Sequence, residues 1–290
     1  MVKVLAPAKI NFTLDITGKL PNGYHTVDMV MQAVSLFDTV TVEKTNNNAI
    51  SLTCNKSYVP CDSSNTAYKA VELFAQHCGI ECGVNVHIEK QIPVQAGLAG
   101  GSTDGAAVLV ALNKLYNTNL SKDCLAQLGE KIGADVPFCL YGGTMLATGI
   151  GASLTRIEPN LTLDQYYILL CKPNINVSTP KAYQEADSRP FSKTVHSTAV
   201  IEALVKNNPV QFLQGLYNDF DSLLNLQQVQ HIKQVMQNSG VENAVMSGSG
   251  PTVYGIYTNL QQAQDTAKAL KKEFTDVFIT NCCNHGCVFA

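Results

Sequence analysis

The chain has 290 residues, 46% of them hydrophobic, which is enough for one large buried core or two ordinary ones. Its net charge of -3, with only 15% charged residues, leaves no basic surface for nucleic acid or an anionic membrane. We therefore expect a small-molecule partner.

The cellular setting is predicted from the start of the chain and from the cysteines. MVKVLAPAKINF lacks the apolar run of a signal peptide, and no later segment approaches a membrane span, so we expect a cytoplasmic protein. Ten cysteines, mostly scattered singly, favour reduced thiols over disulfides. The tail NCCNHGC contains zinc-binding residue types but lacks two separated pairs, so a final strand and tail is favoured there over a metal site.

The first predicted element is a strand from Lys9 to Ile16. Its residues alternate between apolar and polar, so the pattern predicts one face with Ile10, Phe12, Leu14 and Ile16 and another with Lys9, Asn11, Thr13 and Asp15. Further strands are expected at 38–43, 50–53 and 84–88.

Three helices are expected next. One follows the capping residues Ser64 and Asn65 and ends at Gly79. The second spans about Thr103 to Tyr116, and the third opens at Ser121. Beyond these, a strand near 166–173, several helices, a strand pair from Asn243, a helix at about 260–274 and a final strand complete an α+β pattern, with a domain boundary around residues 149–158.

The stretch IPVQAGLAGGSTDGAA concentrates glycines immediately before the second helix. A helix start offers unpaired N–H groups and partial positive charge, and glycines at 97, 100 and 101 let the backbone approach an anion. Ser102 and Thr103 add hydroxyls that could cap the helix or meet a phosphate or its metal. The residues alone leave phosphate binding and an ordinary flexible turn equally open.

Two familiar nucleotide motifs are excluded. No Gly-Lys-Ser/Thr ends the stretch, and TGKL at 17–20 lacks the upstream glycine of a Walker A loop. The pattern G-x-G-x-x-G does not occur.

The stretch PVQAGLAGGSTDGAA resembles the Pro-x-x-x-Gly-Leu-Gly/Ser-Ser-Ser motif of the GHMP kinases. Three further segments are similar to one branch of that family: APAKINFTLDITGKLPNGYH at 6–25, IGADVPFCLYGGTMLATGIG at 132–151 and MSGSGPTVYGIY at 246–257. That branch phosphorylates the 2-hydroxyl of 4-(cytidine 5'-diphospho)-2-C-methyl-D-erythritol in the non-mevalonate route to isoprenoid precursors. The resemblance covers nearly the whole chain in order.

The resemblance implies a two-domain α+β fold with the active site between the domains. Residues 1–155 would form an N-terminal α/β domain of the type found in a ribosomal protein, and residues 156–290 a ferredoxin-like C-terminal domain. It also implies ATP, Mg²⁺ and a monomer or weak homodimer. The implied ATP loop consists of Pro93, Val94, Gln95, Ala96, Gly97, Leu98, Ala99, Gly100, Gly101, Ser102 and Thr103.

Three residues depart from the pattern usual in this branch. Ala99 replaces a glycine and Thr103 a serine, which are small changes. Gly105 stands where alanine is common and, in a first helical turn, costs about 1 kcal/mol of helix propensity. We expect these changes to affect nucleotide affinity and not the reaction.

Lys9 and Asp135 are the catalytic residues that the resemblance implies. Asp135 would take the proton of the acceptor hydroxyl, and Lys9 would orient it and attract the phosphate. From the residues alone, a helix cap for Asp135 and a solvated strand lysine for Lys9 are the favoured alternatives. Asn11, two residues from Lys9, would help to hold the acceptor.

The acceptor base would be recognised by the turn NGYH. Tyr24 offers an aromatic plane for cytosine and His25 offers ring nitrogens for the base edge, whereas the residues alone favour a plain hairpin turn. Tyr183 stands near a second aromatic of the family. The loop SGSGP at 247–251 would approach the nucleotide or form a β-turn, and Ser102 is the one residue expected near Mg²⁺.

Two other functions stay open at this point. One is a different small-molecule kinase of the same family, such as a homoserine or mevalonate kinase. The other is a nucleotide-binding regulator without catalysis.

Overall fold

The structure is a computed structural model and describes residues 1–191 and 194–290. In these residues twelve strands and ten α-helices form, with one 3-10 turn at Leu163–Gln165. The strands are β1 (Val2–Lys19), β2 (His25–Lys44), β3 (Ile50–Cys54), β4 (Val84–Glu89), β5 (Thr144–Gly149), β6 (Ser153–Ile157), β7 (Tyr167–Lys172), β8 (Tyr217–Asn218), β9 (Ala244–Met246), β10 (Val253–Tyr257), β11 (Asp276–Thr280) and β12 (Val288–Phe289). The helices are α1 (Thr66–Cys78), α2 (Gly100–Leu115), α3 (Lys122–Glu130), α4 (Val136–Tyr141), α5 (Thr179–Ala186), α6 (Ser197–Val205), α7 (Pro209–Gln214), α8 (Asp219–Leu224), α9 (Gln227–Asn238) and α10 (Leu260–Leu270).

The first sheet is built on the long antiparallel pair of β1 and β2. Its strand order is β12-β1-β2-β4-β3, with β5 also paired to β2, β6 to β5, and β8 parallel to β1. Helix α2 packs against β1 and β2, and α1 packs on α2.

The second sheet is antiparallel, in the order β11-β7-β10-β9. Along the chain, the strands of this sheet occur as β7, β9, β10 and β11, with helices after β7 and after β10. Their spatial order is therefore fourth, first, third, second, which is that of a ferredoxin-like sheet. The predicted C-terminal architecture is confirmed.

The predicted division of β1 into one apolar and one polar face is wrong. Register shifts in the pairing of β1 with β2 fall between Pro7 and Ala8 and between Asn11 and Thr13, and an extra residue reverses the side that each later side chain faces. Ile10 and Phe12 therefore belong to one core cluster, whereas Leu14 and Ile16 belong to the other. The strand is buried on both faces.

Helix α1 confirms its predicted ends. The Asn65 side chain accepts a hydrogen bond from the Ala67 N–H, and Gly79 adopts the left-handed conformation that ends the helix. Ser121 likewise caps α3 by accepting from the N–H of Cys124.

The predicted start of α2 at Thr103 is three residues late. The helix begins at Gly100, after Ala99 in the left-handed conformation, and no side chain caps it. Gly105 accordingly lies in the second turn and not the first. It is buried, and a Cβ there would stand 3.3 Å from the carbonyl oxygen of Thr66, so glycine permits the close packing of α1 on α2.

The two sheets meet through the other face of β1. Ile10 and Phe12 pack in one cluster with Ile168 and Tyr254 of the second sheet. The chain end then returns to the first sheet, where β12 pairs with β1 at Val4 and Leu5. This junction holds the two halves of the chain on opposite sides of a cleft.

Candidate active site

A cavity of about 960 Å³ lies in this cleft, at the upper end of the size range of ligand pockets. The cavity is lined by Tyr24, His25 and Tyr183, by Lys9 and Asp135, and by the glycine-rich loop before α2. Segments that are far apart in sequence therefore share one cavity, as the resemblance implied.

The register shifts in β1 turn Lys9 towards this cavity. Lys9 is only 4% exposed, and its Nζ donates to Oδ1 of Asn11 at 2.7 Å. The amide nitrogen of Asn11 contacts the Met29 sulfur at 3.2 Å, which holds the amide in place. The ammonium group is thus a buried charge with capacity for further hydrogen bonds, and the alternative of a solvated strand lysine does not describe it.

Asp135 lies across from Lys9, directly before α4. One of its carboxylate oxygens, Oδ2, is 4.0 Å from Lys9 Nζ, at the limit of an ion pair, and the side chain is 31% exposed. Although the residue occupies the position before the helix, its side chain makes no capping hydrogen bond. The alternative of a structural cap therefore lacks its defining contact, and the carboxylate is free to meet a ligand.

The glycine-rich loop approaches the helix through three residues with positive φ, namely Gln95, Gly97 and Ala99. Since the first intrahelical hydrogen bond is donated by Thr103 to Ala99, the N–H groups of Gly100, Gly101 and Ser102 have no partner within α2. These three residues line the cavity. The arrangement provides the unpaired N–H groups that favour an anion at a helix N-terminus.

The other residues of the implied ATP loop fall into two groups. Pro93, Val94, Gln95, Ala96, Gly97 and Ala99 also line the cavity. Leu98 and Thr103 do not; the Leu98 side chain is buried in the core and the Thr103 hydroxyl lies 3.7 Å from the Cys287 sulfur. The Leu98 carbonyl still accepts from the Lys9 N–H at 3.1 Å, which ties the loop to β1.

The SGSGP loop packs directly on the glycine-rich loop. The Ser247 hydroxyl donates to the Gly97 carbonyl at 3.0 Å, and the Thr252 N–H donates to the Ala96 carbonyl at 3.3 Å. A Cβ on Gly97 would stand 2.0 Å from the Ser247 carbonyl oxygen, and one on Gly248 would stand 3.1 Å from Lys9 Nζ. Both glycines are therefore required for the two loops to close around Lys9.

A buried ionic cluster that was not predicted from the sequence supports the loop, and two of its members, Lys90 and Asp104, also line the cavity. Lys90 Nζ donates to Asp104 of α2 at 2.6 Å and to Asp38 of β2, and Asp38 also accepts from the N–H groups of Gln91 and Ile92. The cluster links the residues before the loop to the helix after it. The partners are 52 and 14 residues from Lys90 along the chain, so local patterning could not reveal them.

Burial and the neighbouring charges shift the pKa values of Asp104 and Lys90 in this cluster. Desolvation raises the pKa of Asp104 well above its usual range, although Lys90 opposes the rise, and the Asp38 carboxylate adds to it. Burial also lowers the pKa of Lys90, but the two acids outweigh it and leave a net rise. The raised pKa of Asp104 favours its neutral form and so reduces the negative charge of the cluster beside the glycine-rich loop.

The proposed base-recognition residues all line the cavity. Tyr24 is 63% exposed, and the rings of His25 and Tyr183 are stacked 4.8 Å apart with an interplanar angle of 23°. Phe220 meets Tyr183 edge-on at 5.0 Å. Tyr183 therefore packs on His25. The ring of Tyr24 is the exposed aromatic surface of this group.

The cysteines and the tail take no part in the cavity. All ten cysteines are free thiols. Among residues 1–191 and 194–290, no three His, Cys, Asp or Glu side chains are grouped so as to hold a metal ion. The tail instead lies against α4, where the Cys287 N–H donates to the Cys139 carbonyl. In the same part of the chain, no helix has the length and apolar character to cross a membrane.

Comparison with known proteins gives family matches in both halves of the chain. Residues 65–143 match the GHMP kinases N terminal domain, and residues 200–276 match the GHMP kinases C terminal domain.

Relatives of nearly equal length carry one name. The chain is 41% identical to the 4-diphosphocytidyl-2-C-methyl-D-erythritol kinase of Clostridium perfringens, over 98% of this chain and 99% of that protein. It is 40% identical to the kinase of the same name from Caldicellulosiruptor saccharolyticus, over 97% of this chain and 96% of that protein.

Solved structures share the fold. A crystal structure of 4-(cytidine 5'-diphospho)-2C-methyl-D-erythritol kinase has a TM-score of 0.78 at 29% identity, over 97% of this chain and 98% of that one. Homoserine kinase from Cytophaga hutchinsonii has a TM-score of 0.79 at 18% identity, over 100% and 97% of the two chains, which supports the fold alone. On the domain matches and the full-length identity, the chain belongs to the GHMP kinase family.

Proposed function

We propose that this kinase transfers the γ-phosphoryl group of ATP to the 2-hydroxyl of 4-(cytidine 5'-diphospho)-2-C-methyl-D-erythritol. The products would be the 2-phosphate and ADP, and the step would belong to the non-mevalonate route to isoprenoid precursors. The observation that carries the proposal is that one cavity is lined by the pair of Lys9 and Asp135, by the glycine-rich loop and by the group of Tyr24, His25 and Tyr183. The names of relatives at about 41% identity support the same substrate.

The chemical step follows from the charges of Lys9 and Asp135 in the cavity. Asp135 would accept the proton of the acceptor hydroxyl while the hydroxyl oxygen attacks the γ-phosphorus and ADP leaves. Lys9, positioned by Asn11, would hold the acceptor oxygen and neutralise charge that builds on the transferring group. Because the two atoms are 4.0 Å apart, one acceptor hydroxyl can lie within hydrogen-bond distance of both side chains.

The glycine-rich loop and the group of Tyr24, His25 and Tyr183 would position the two substrates. The unpaired N–H groups of Gly100, Gly101 and Ser102 would bind the phosphates of ATP. Tyr24 would stack on the cytosine, and His25 would bind its edge.

The residues of the cavity fit Mg²⁺. The Ser102 hydroxyl lines the cavity at the helix start and, among the described residues, makes no hydrogen bond, and hydroxyl and phosphate oxygens are ligands that Mg²⁺ prefers. Ser102 would hold the ion together with the phosphates. Bound there, Mg²⁺ supplies neutralisation of phosphate charge.

The proposal also covers the domain division, the oligomeric state and the cellular location. We propose residues 1–155 and 156–290 as the two domains, with β12 crossing back to the first, and a monomer or weak homodimer in the cytoplasm. A GHMP kinase of the homoserine or mevalonate type is the alternative, because those kinases share the fold.

The proposal is tested by coupled ADP release from the purified protein with a panel of alcohols. The panel contains the cytidyl substrate, homoserine, mevalonate and a no-acceptor control. We expect ADP release with the cytidyl substrate at least about a hundredfold above the other acceptors, because the others cannot use the base-recognition residues. Preference for homoserine or mevalonate would support the alternative, and no release with any acceptor would support a regulator without catalysis.

A further inference from the structure

Two side chains outside the sequence prediction, Asp187 and Lys19, form a hydrogen-bonded row with His25 at the cavity. His25 Nε2 lies 2.8 Å from Asp187 Oδ1, and the second oxygen of Asp187 accepts from Lys19 Nζ at 2.5 Å. Lys19 ends β1, His25 begins β2, and Asp187 follows α5. Only His25 was expected at this site. Asp187 and Lys19 also line the cavity.

The protonation of Asp187 decides which ring nitrogen of His25 carries hydrogen. Hydrogen bonds from Lys19, and then from His25, lower the pKa of Asp187, so its carboxylate is ionised and can only accept. Nε2 of His25 must therefore donate. In the neutral ring, Nδ1 then has a free lone pair and can only accept.

Lys19 binds the other oxygen of the same carboxylate, so Asp187 is held between the two side chains. Among the described residues, Nδ1 of His25 has no hydrogen-bond partner, although the side chain is only 6% exposed.

The ring is also held in orientation. Tyr183 stacks on it, and Phe191 meets it at 73° with centroids 6.0 Å apart. A fixed ring with a defined acceptor can distinguish bases. Cytosine carries an amino group at position 4, a donor, whereas uracil carries a carbonyl oxygen there, an acceptor.

We propose that Asp187 is a specificity-determining positioning residue: it holds His25 in the Nε2–H form, so that Nδ1 accepts a hydrogen bond from the 4-amino group of cytosine and disfavours uracil. The inference rests on the proposed function, because it concerns the acceptor of that same reaction. Asp187 acts through His25 and does not itself touch the base.

The test uses the variant Asp187→Asn in the full-length protein with the cytidyl substrate and its uridyl analogue. An amide can accept or donate towards Nε2, so the Nε2–H form is no longer enforced. We expect the ratio of kcat/KM for the cytidyl over the uridyl compound to fall at least about tenfold, with the KM for ATP unchanged.

Glu202→Gln is the matched control. Glu202 is also a carboxylate paired with a lysine, Lys206 at 2.8 Å, but it lies on α6 outside the cavity. Its loss should leave the ratio unchanged.

A spectroscopic measurement reports the hydrogen position independently of turnover. In protein labelled with ¹⁵N-histidine, the His25 signals, assigned by their loss in His25→Gln, should show one protonated and one unprotonated nitrogen in the unmodified protein. In Asp187→Asn they should shift towards an average of two forms.

The outcomes separate the two proposals. If the unmodified protein phosphorylates the cytidyl compound but Asp187→Asn retains the base preference, or if the unmodified protein already shows averaged His25 nitrogens, the role of Asp187 is contradicted and the proposed function stands. If the unmodified protein phosphorylates neither compound, the proposed function fails, and the inference with it.

Discussion

Replacing Gly97 by alanine should destabilise the protein severely, because the added methyl group meets backbone and not a movable side chain. The new Cβ would stand 2.0 Å from the Ser247 carbonyl oxygen and 3.1 Å from the Gly250 nitrogen. To reach ordinary van der Waals contact, the two loops would have to separate by about 1.4 Å.

Separation of the loops has a cost that can be worked from the structure. It would break the hydrogen bonds from Ser247 and Thr252 to the glycine-rich loop, about 1 kcal/mol each. Gly97 also has φ of 74°, and alanine in the left-handed region costs about 1–2 kcal/mol. Together these effects predict a loss of about 3–4 kcal/mol, a large part of the 5–15 kcal/mol typical of a folded protein.

Gly101→Ala is the matched control on the same loop. Its Cβ would stand 3.5 Å from the Thr66 hydroxyl, an ordinary contact, at a residue inside α2. We expect the free energy of unfolding to stay constant or to rise by up to about 1 kcal/mol. The methyl group would nevertheless face the cavity beside the unpaired N–H groups, so the Kd for ATP should rise.

Urea unfolding and calorimetric titration with ATP check both variants. Unfolding of Gly97→Ala at the same urea concentration as the unmodified protein would refute the interlocked loops. ATP binding by Gly101→Ala with an unchanged Kd would refute phosphate binding by this backbone.

Three further changes test separate parts of the site. Tyr24→Ala should weaken binding of the cytidyl acceptor by about 1–3 kcal/mol through lost stacking and leave ATP binding unchanged in titration calorimetry, whereas equal loss of both ligands would indicate a structural turn. Ala99→Gly should raise the free energy of unfolding in urea by about 0.5–1 kcal/mol, since Ala99 has φ of 57°; a decrease would show that its methyl contact outweighs the backbone strain. Asp104→Asn tests the raised pKa: between the unfolded value of about 4 and the higher folded value, the folded state holds a proton that the unfolded state lacks, so the stability of the unmodified protein falls as pH rises. The stability of Asp104→Asn relative to the unmodified protein should therefore increase with pH, by at most about 1.4 kcal/mol per pH unit, and a difference independent of pH would contradict a raised pKa for Asp104.

Local signals in the sequence predicted the elements whose ends are set by local chemistry. Asn65, Gly79 and Ser121 mark helix ends through their own hydrogen bonds and backbone conformation, and the structure confirms all three. The glycine-rich loop was likewise recognisable, because the close approach of the Ser247 carbonyl to Gly97 leaves no room for a side chain.

Features that depend on distant segments were not predictable. The predicted faces of β1 were wrong because the extra residue between Asn11 and Thr13 arises from pairing with β2. The alternation of apolar and polar residues in the sequence does not reveal it. The partners of Lys90 and His25 lie on other elements, 52 and 162 residues away for Asp38 and Asp187. Only the fold brings these groups together.

The central claim is that Asp135, facing Lys9, performs the proton transfer of the phosphoryl step. The most direct measurement is kcat of Asp135→Asn with the cytidyl substrate and saturating ATP, alongside the Kd for ATP. The amide keeps the shape of the side chain but cannot take a proton at neutral pH, so we predict a fall in kcat of at least about a hundredfold with an unchanged Kd for ATP. A kcat close to that of the unmodified protein would contradict the claim and leave Asp135 as a residue that only begins α4.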